Sequence, residues 1–166
     1  MTGWSRNGGM NGKAMQILDC PLHRPLDEFI ARRILSPKEF EELEGWFYNY
    51  VQVFDKVNVE KSKELAKVID AKLKQCYHNC WIADVAGKYL YYEGYFVMPN
   101  YGLMAFDHSW LVDRQTNEVI DPTLALRNNF AKWYCGIEIP RDNINKWGFE
   151  LGKTGDFLYK KWEYYK

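Results

Sequence analysis

Three residues in the middle of this chain are of types that can do nucleophilic chemistry together: Cys76, His108 and Asp121. A thiol attacks a carbonyl only as its thiolate. A histidine can take the thiol proton, and a carboxylate on the other ring nitrogen fixes the tautomer that leaves the first nitrogen free to act as base. The stretch "MAFDHSWLVD" reads as a strand, so Met104, Phe106, His108, Trp110 and Val112 share one face. That face is apolar and turns His108 toward a core or a cleft floor. "RQTN" reads as a turn and "EVID" as the returning strand. If the turn pairs Asp113 with Glu118, then Val112 faces Val119, Trp110 faces Asp121 and His108 faces Thr123. Asp121 then lies on the side of His108 as a diagonal neighbour. A turn one residue longer or shorter would put the two on opposite faces. A carboxylate on an apolar strand face is costly unless paired, and His108 is the partner at hand.

Cys76 stands where a short helix is expected to open, running toward Gly87. The free amides and dipole of a helix N-terminus favour a thiolate. The Cys76 amide, with the side chain of Gln75 or Asn79, could form an oxyanion hole. Each piece also has a plain structural reading. A cysteine in a helix with Trp81, Ile82 and Val85 is ordinarily a small buried hydrophobe. A lone histidine on an apolar face is ordinarily structural, and Asp121-Pro122 can simply mark a turn. Spacing by itself leaves both readings open. A zinc site from Cys76, His78, Cys80 and His108 is the weaker alternative, because His78 would point away from the helix side that carries both cysteines.

The runs "CYHN", "YYEGY", "DHSWLVD", "EVIDPT" and "WYCGIEIP" resemble a family of small papain-like or transglutaminase-like cysteine-hydrolase domains. The resemblance covers residues 73–140, under half of the chain, and its most specific part is His-x-Trp followed by Ile-Asp-Pro-Thr. It implies Cys76 as nucleophile, His108 as general base and acid, and Asp121 as the residue that orients His108. It also implies a nucleophile at a helix N-terminus packed on an antiparallel sheet. One feature blurs it: Cys80 precedes Trp81, and a Cys-Trp pair is where papain-type peptidases carry the nucleophile. Cys76 is preferred because Cys80 would lie a full turn inside the helix, away from the N-terminal field. Glu93 could be a second acid, but a structural role beside Gly94 suits it better, with Gly94 permitting a bulge or close packing. Tyr92, Glu93 and Trp110 are candidates for lining a groove, with Tyr91, Tyr95 and Tyr101 beside them, although a core position suits most of these rings better.

The elements that must position these residues read as α+β, helices first and antiparallel strands after. "SPKEFEELEGWFYNYVQVFDKV" is the clearest helix: Ser36 can cap it, Pro37 and Glu39 complete the signature, and Phe40, Leu43, Phe47, Tyr50, Val51 and Phe54 form one stripe. A second helix is expected from Val59 to Lys74, capped by Asn58, with Leu65, Ala66, Val68, Ile69 and Leu73 inward. "KYLYYEGYFVM" and "KWYCGIEI" are further strands. Residues 1–12 read as a disordered tail and 13–166 as a single domain: a mainly helical region to 75, a catalytic core over 76–140, and a C-terminal extension over 141–166 with no element assigned. "CPLHRPLDEFIARRIL" is expected to begin as a loop and end as a short helix.

With 22 basic and 22 acidic residues the chain has no charge excess to ask for nucleic acid. No apolar run approaches the length of a membrane span, and the N-terminus lacks the apolar segment of a signal peptide. Four cysteines in a domain large enough to need no staples fit a reducing cytoplasm. The sequence thus points to a cytoplasmic cysteine peptidase or amidase needing no cofactor, with a peptide or protein as substrate. The alternatives are a transglutaminase-type amidotransferase or deamidase, or an inactive hydrolase fold whose aromatic-rich groove only binds protein.

Overall fold

The structure is a computed structural model that describes residues 35–84, 87–98, 105–155 and 157–165. The regions 1–12 and "CPLHRPLDEFIARRI", with Tyr101 and Met104, lie outside the described residues. The first described element is helix α1, Pro37–Tyr50. Its capping box forms as the sequence predicts: the Ser36 side chain accepts from the Glu39 amide, and Glu39 reaches back to the Ser36 amide at 2.9 Å. The expected stripe does not continue past the helix. Leu43 and Phe47 are buried, Tyr50 is 52% exposed, and Gln52–Phe54 form strand β1 instead. The alternation "VQVF" suits a strand edge, and Phe54 is buried there.

Helix α2, Val59–Val68, is capped by Asn58 as expected but stops six residues before Lys74. Its end is a Schellman turn, with the Ala71 amide on the Ala66 carbonyl, the Asp70 amide on that of Lys67, and Asp70 left-handed at φ 51°. The inward stripe is cut accordingly: Ala66 is buried, while Val68 is 76% and Leu73 47% exposed. Helix α3, Cys76–Ala83, opens at Cys76 and ends short of Gly87, which is left-handed at φ 64°.

The sheet follows as β2 (Tyr89–Val97), β3 (Ala105–Asp113), β4 (Val119–Ile120) and, after helix α4 (Pro122–Ala125), β5 (Trp133–Glu138). Its five strands are antiparallel in the order β1-β5-β2-β3-β4. The tail, unassigned from sequence, forms helices α5 (Arg141–Leu151) and α6 (Leu158–Tyr165). The fold is therefore α+β, with helices packed on an antiparallel sheet.

One sheet face carries Tyr91 and Leu111 against Cys80 of α3 and Ile144 and Trp147 of α5, and Tyr95 and Ile137 against α1 and α6. The other carries Tyr92, Trp110 and Val112 with Phe54, Val119 and Tyr134. Tyr91, Tyr92, Tyr95 and Trp110 are thus core residues, 2% exposed or less, and not groove walls. Gly94 serves close packing and no bulge: it faces Gly136 across β5, where an added Cβ would come within 2.2 Å of the Cys135 carbonyl oxygen. Among the described residues no helix is long and apolar enough to cross a membrane.

Candidate active site

The site is built where β4 breaks off. The β3–β4 turn has the register anticipated for it, pairing Val112 with Val119 and Leu111 with Ile120, with the Asp113 amide on the Glu118 carbonyl. Pro122 has no amide to extend the ladder, and Asp121 leaves the strand to cap α4. Thr123 is therefore inside a helix and not opposite His108. Asp121 Oδ1 accepts the amides of Thr123 and Leu124 at 3.0 and 2.9 Å. Its other oxygen, Oδ2, lies 2.8 Å from His108 Nε2 and accepts the Tyr134 hydroxyl at 3.1 Å. The Asp121 amide is itself held by Ser62 Oγ of α2 at 3.0 Å. Asp121 is fully buried, so its charge rests entirely on these donors.

His108 is 4% exposed, its ring stacked on Trp110 at 6.5 Å and met edge-on by Phe96 at 4.8 Å. Because Nε2 faces a carboxylate, it carries a proton, and Nδ1 is the nitrogen left for the thiol of Cys76. Burial opposes a charge on the imidazole, but the Asp121 charge and hydrogen bond, with a smaller contribution from Cys76, push its pKa up to about 10. Cys76 stands at the first position of α3, half-buried. Burial pushes its thiol up, yet the neighbouring His108 imidazolium and the Ser109 backbone together bring it below the ordinary thiol range. The two shifts have opposite signs: Asp121 raises the imidazole, and the charged imidazole in turn lowers the thiol. The sulfur and the imidazole favour the thiolate–imidazolium pair.

The other residues picked out from sequence take different places. Cys80, the alternative nucleophile, is wholly buried, and its thiol donates to the Ser109 carbonyl at 3.4 Å. Burial and the Asp121 charge push that thiol well up, away from thiolate chemistry. Asn79 is buried and its amide is already committed. Nδ2 donates to the Lys72 carbonyl at 2.7 Å and to Thr123 Oγ1 at 2.9 Å, while Oδ1 accepts the Lys72 amide. It ties the loop before α3 to α4 and has no N–H left for an oxyanion. Gln75 is exposed at the cap position of α3 without a side-chain cap bond, and remains beside the Cys76 amide. Glu93 is buried on the face away from His108, accepting Tyr91 Oη at 2.8 Å, the Leu158 amide at 2.9 Å and the Phe157 amide. It caps α6, as its structural reading anticipates. His78 stacks on Trp81, and among the described residues no three of His, Cys, Asp and Glu gather as metal ligands.

Sequence reasoning missed Tyr134, Ser62, Ser109 and Phe96. Only Ser109 and Phe96 carried a signal, through strand alternation around His108. No family model matches this chain, and neither a curated protein nor a solved structure is significantly similar to it.

Proposed function

We propose that the chain is a thiol-dependent acyl-transfer enzyme of papain-like or transglutaminase-like architecture, acting on an amide as a cysteine peptidase or amidase. The observation that carries this reading is the buried His108–Asp121 pair at 2.8 Å, coupled to a half-exposed Cys76 whose thiol is held low. Cys76 Sγ attacks the carbonyl carbon, its proton already on His108 Nδ1. The oxyanion that forms is met by the Cys76 amide and by Gln75. As the C–N bond breaks, Nδ1 gives its proton to the leaving amine. Water then gives a proton back to Nδ1 and attacks the thioester, releasing the acid and the thiol. Asp121 keeps the Nε2 proton throughout and stabilises the imidazolium. An amine in place of water would give transamidation from the same intermediate. A reducing compartment such as the cytoplasm suits a nucleophile that must remain a thiol, and the described cysteines are all free.

p-Nitrophenyl acetate tests this directly. The expected result is a burst of p-nitrophenol stoichiometric with protein, an acetyl group on Cys76 by peptide mass spectrometry, and no burst from Cys76→Ala. Acetylation scattered over other residues, with the burst intact in Cys76→Ala, would overturn the reading.

A further inference from the structure

The face of the sheet that presents His108 is an unbroken run of rings. Trp110 packs on Tyr134 at 5.3 Å, His108 stacks on Trp110 at 6.5 Å, Phe96 meets His108 edge-on at 4.8 Å, and Phe106 stacks on Phe96 at 5.3 Å. Register explains the order, because Phe96 and Phe106 are direct cross-strand partners and His108 is two residues along β3 on the same side. The cover over this run changes along it. Phe54, Val119 and Tyr134 bury Trp110 completely, His108 is 4% exposed, and Phe106 is 37% exposed. A single exposed phenylalanine is unremarkable on a protein surface. This one continues an apolar face that loses its cover on passing His108, the residue that serves Cys76 in the reading above.

We infer that the site takes amides bearing an aromatic or large apolar group beside the reacting carbonyl, seated on Phe106 and Phe96. This rests on the acyl-transfer reading above. The occupant is part of the substrate itself, since only a group tethered to the reacting carbonyl must lie here during each turnover. A carboxylate would lose hydration against two rings and gain no partner from them. An aromatic group removes its own surface and that of Phe106 from water together.

The test compares chloroacetamide, N-benzylchloroacetamide and N-(carboxymethyl)chloroacetamide as alkylating agents of Cys76 at pH 6, each rate divided by its rate with glutathione. In each case the sulfur displaces chloride from the same carbon, so only the appended group differs. The benzyl reagent is expected to react about tenfold faster than the parent on this normalised scale, and the carboxymethyl reagent no faster than the parent. Phe106→Ala should bring the benzyl advantage below about threefold and Phe106→Leu should keep most of it. Phe149→Ala, on α5 at the opposite face and 93% exposed, should leave it whole. A wild-type benzyl advantage no larger than that of glutathione overturns the inference while leaving the activated thiol standing, as does an advantage that survives Phe106→Ala. A Cys76 inert to the parent reagent itself overturns the acyl-transfer reading and the inference with it.

Discussion

His108 Nε2 and Asp121 Oδ2 stand 2.8 Å apart where solvent reaches 5% of one side chain and none of the other. Little water screens that pair, so the carboxylate's charge acts on the imidazole at close to full strength. Asp121 also caps α4 with its second oxygen, so one side chain fixes both the local fold and the charge state of the histidine.

The two tasks separate by substitution. Asp121→Asn keeps a capping oxygen and loses the charge. Its Cys76 should alkylate about 10–100-fold more slowly at pH 6, with a stability loss of about 1–3 kcal/mol. Asp121→Ala loses the cap as well and should cost about 3–5 kcal/mol in urea unfolding. An Asn variant that alkylates at the wild-type rate would remove Asp121 from the mechanism.

The pH dependence of stability follows from the direction of each shift. The His108 pKa is raised in the folded state from 6.5 to about 10, so its contribution is complete below pH 6.5 and is lost as pH rises toward 10. The Cys76 shift is downward and acts with the opposite sign, adding stability above the ordinary thiol value. In Cys76→Ala, then, stability should fall with rising pH above about 6.5, by at most about 1.4 kcal/mol per pH unit. Wild type should fall less steeply, and Cys76→Ala with His108→Gln should be nearly flat. Equal slopes in the single and double variants would mean that His108 does not carry the charge.

Glu93 separates the fold from the chemistry. Its carboxylate holds the first amides of α6 from the middle of β2, so Glu93→Gln should destabilise by about 1–3 kcal/mol. The alkylation rate of Cys76 in the folded variant should stay within about twofold of wild type, as measured under native conditions. A large fall in that rate would make Glu93 part of the site.

The site was legible wherever local pattern decides geometry. Ser36 and Glu39 announce α1, Asn58 announces α2, and the "RQTN" turn sets the register that brings Asp121 to the side of His108. What was not legible depends on neighbours distant in sequence. Tyr134 reaches Asp121 because β5 inserts between β1 and β2, a topology that alternation within one strand does not encode. Val68 and Leu73 continue a helical stripe in sequence, yet Asp70 turns left-handed and the chain reverses. Asn79 looked like an oxyanion donor at helix spacing from Cys76, but its amide is used to tether Lys72 and Thr123, which only the packing of α4 on α3 reveals. The residues that cover Tyr92 and Trp110, Phe54 and Tyr134, likewise come from strands distant in sequence.

Thiol alkylation with iodoacetamide from pH 5 to 9, resolved cysteine by cysteine by mass spectrometry, reads out whether His108 activates Cys76. Wild type would be compared with His108→Gln, using near-UV circular dichroism to match their folds. Cys76 should react at about pH 6 far faster than Cys80 and Cys135, and the Gln variant should lose this advantage and regain reactivity only at about pH 8.5. A Cys76 that stays inert below about pH 8 in wild type, or one whose profile His108→Gln leaves unmoved, would rule out activation of the thiol by His108.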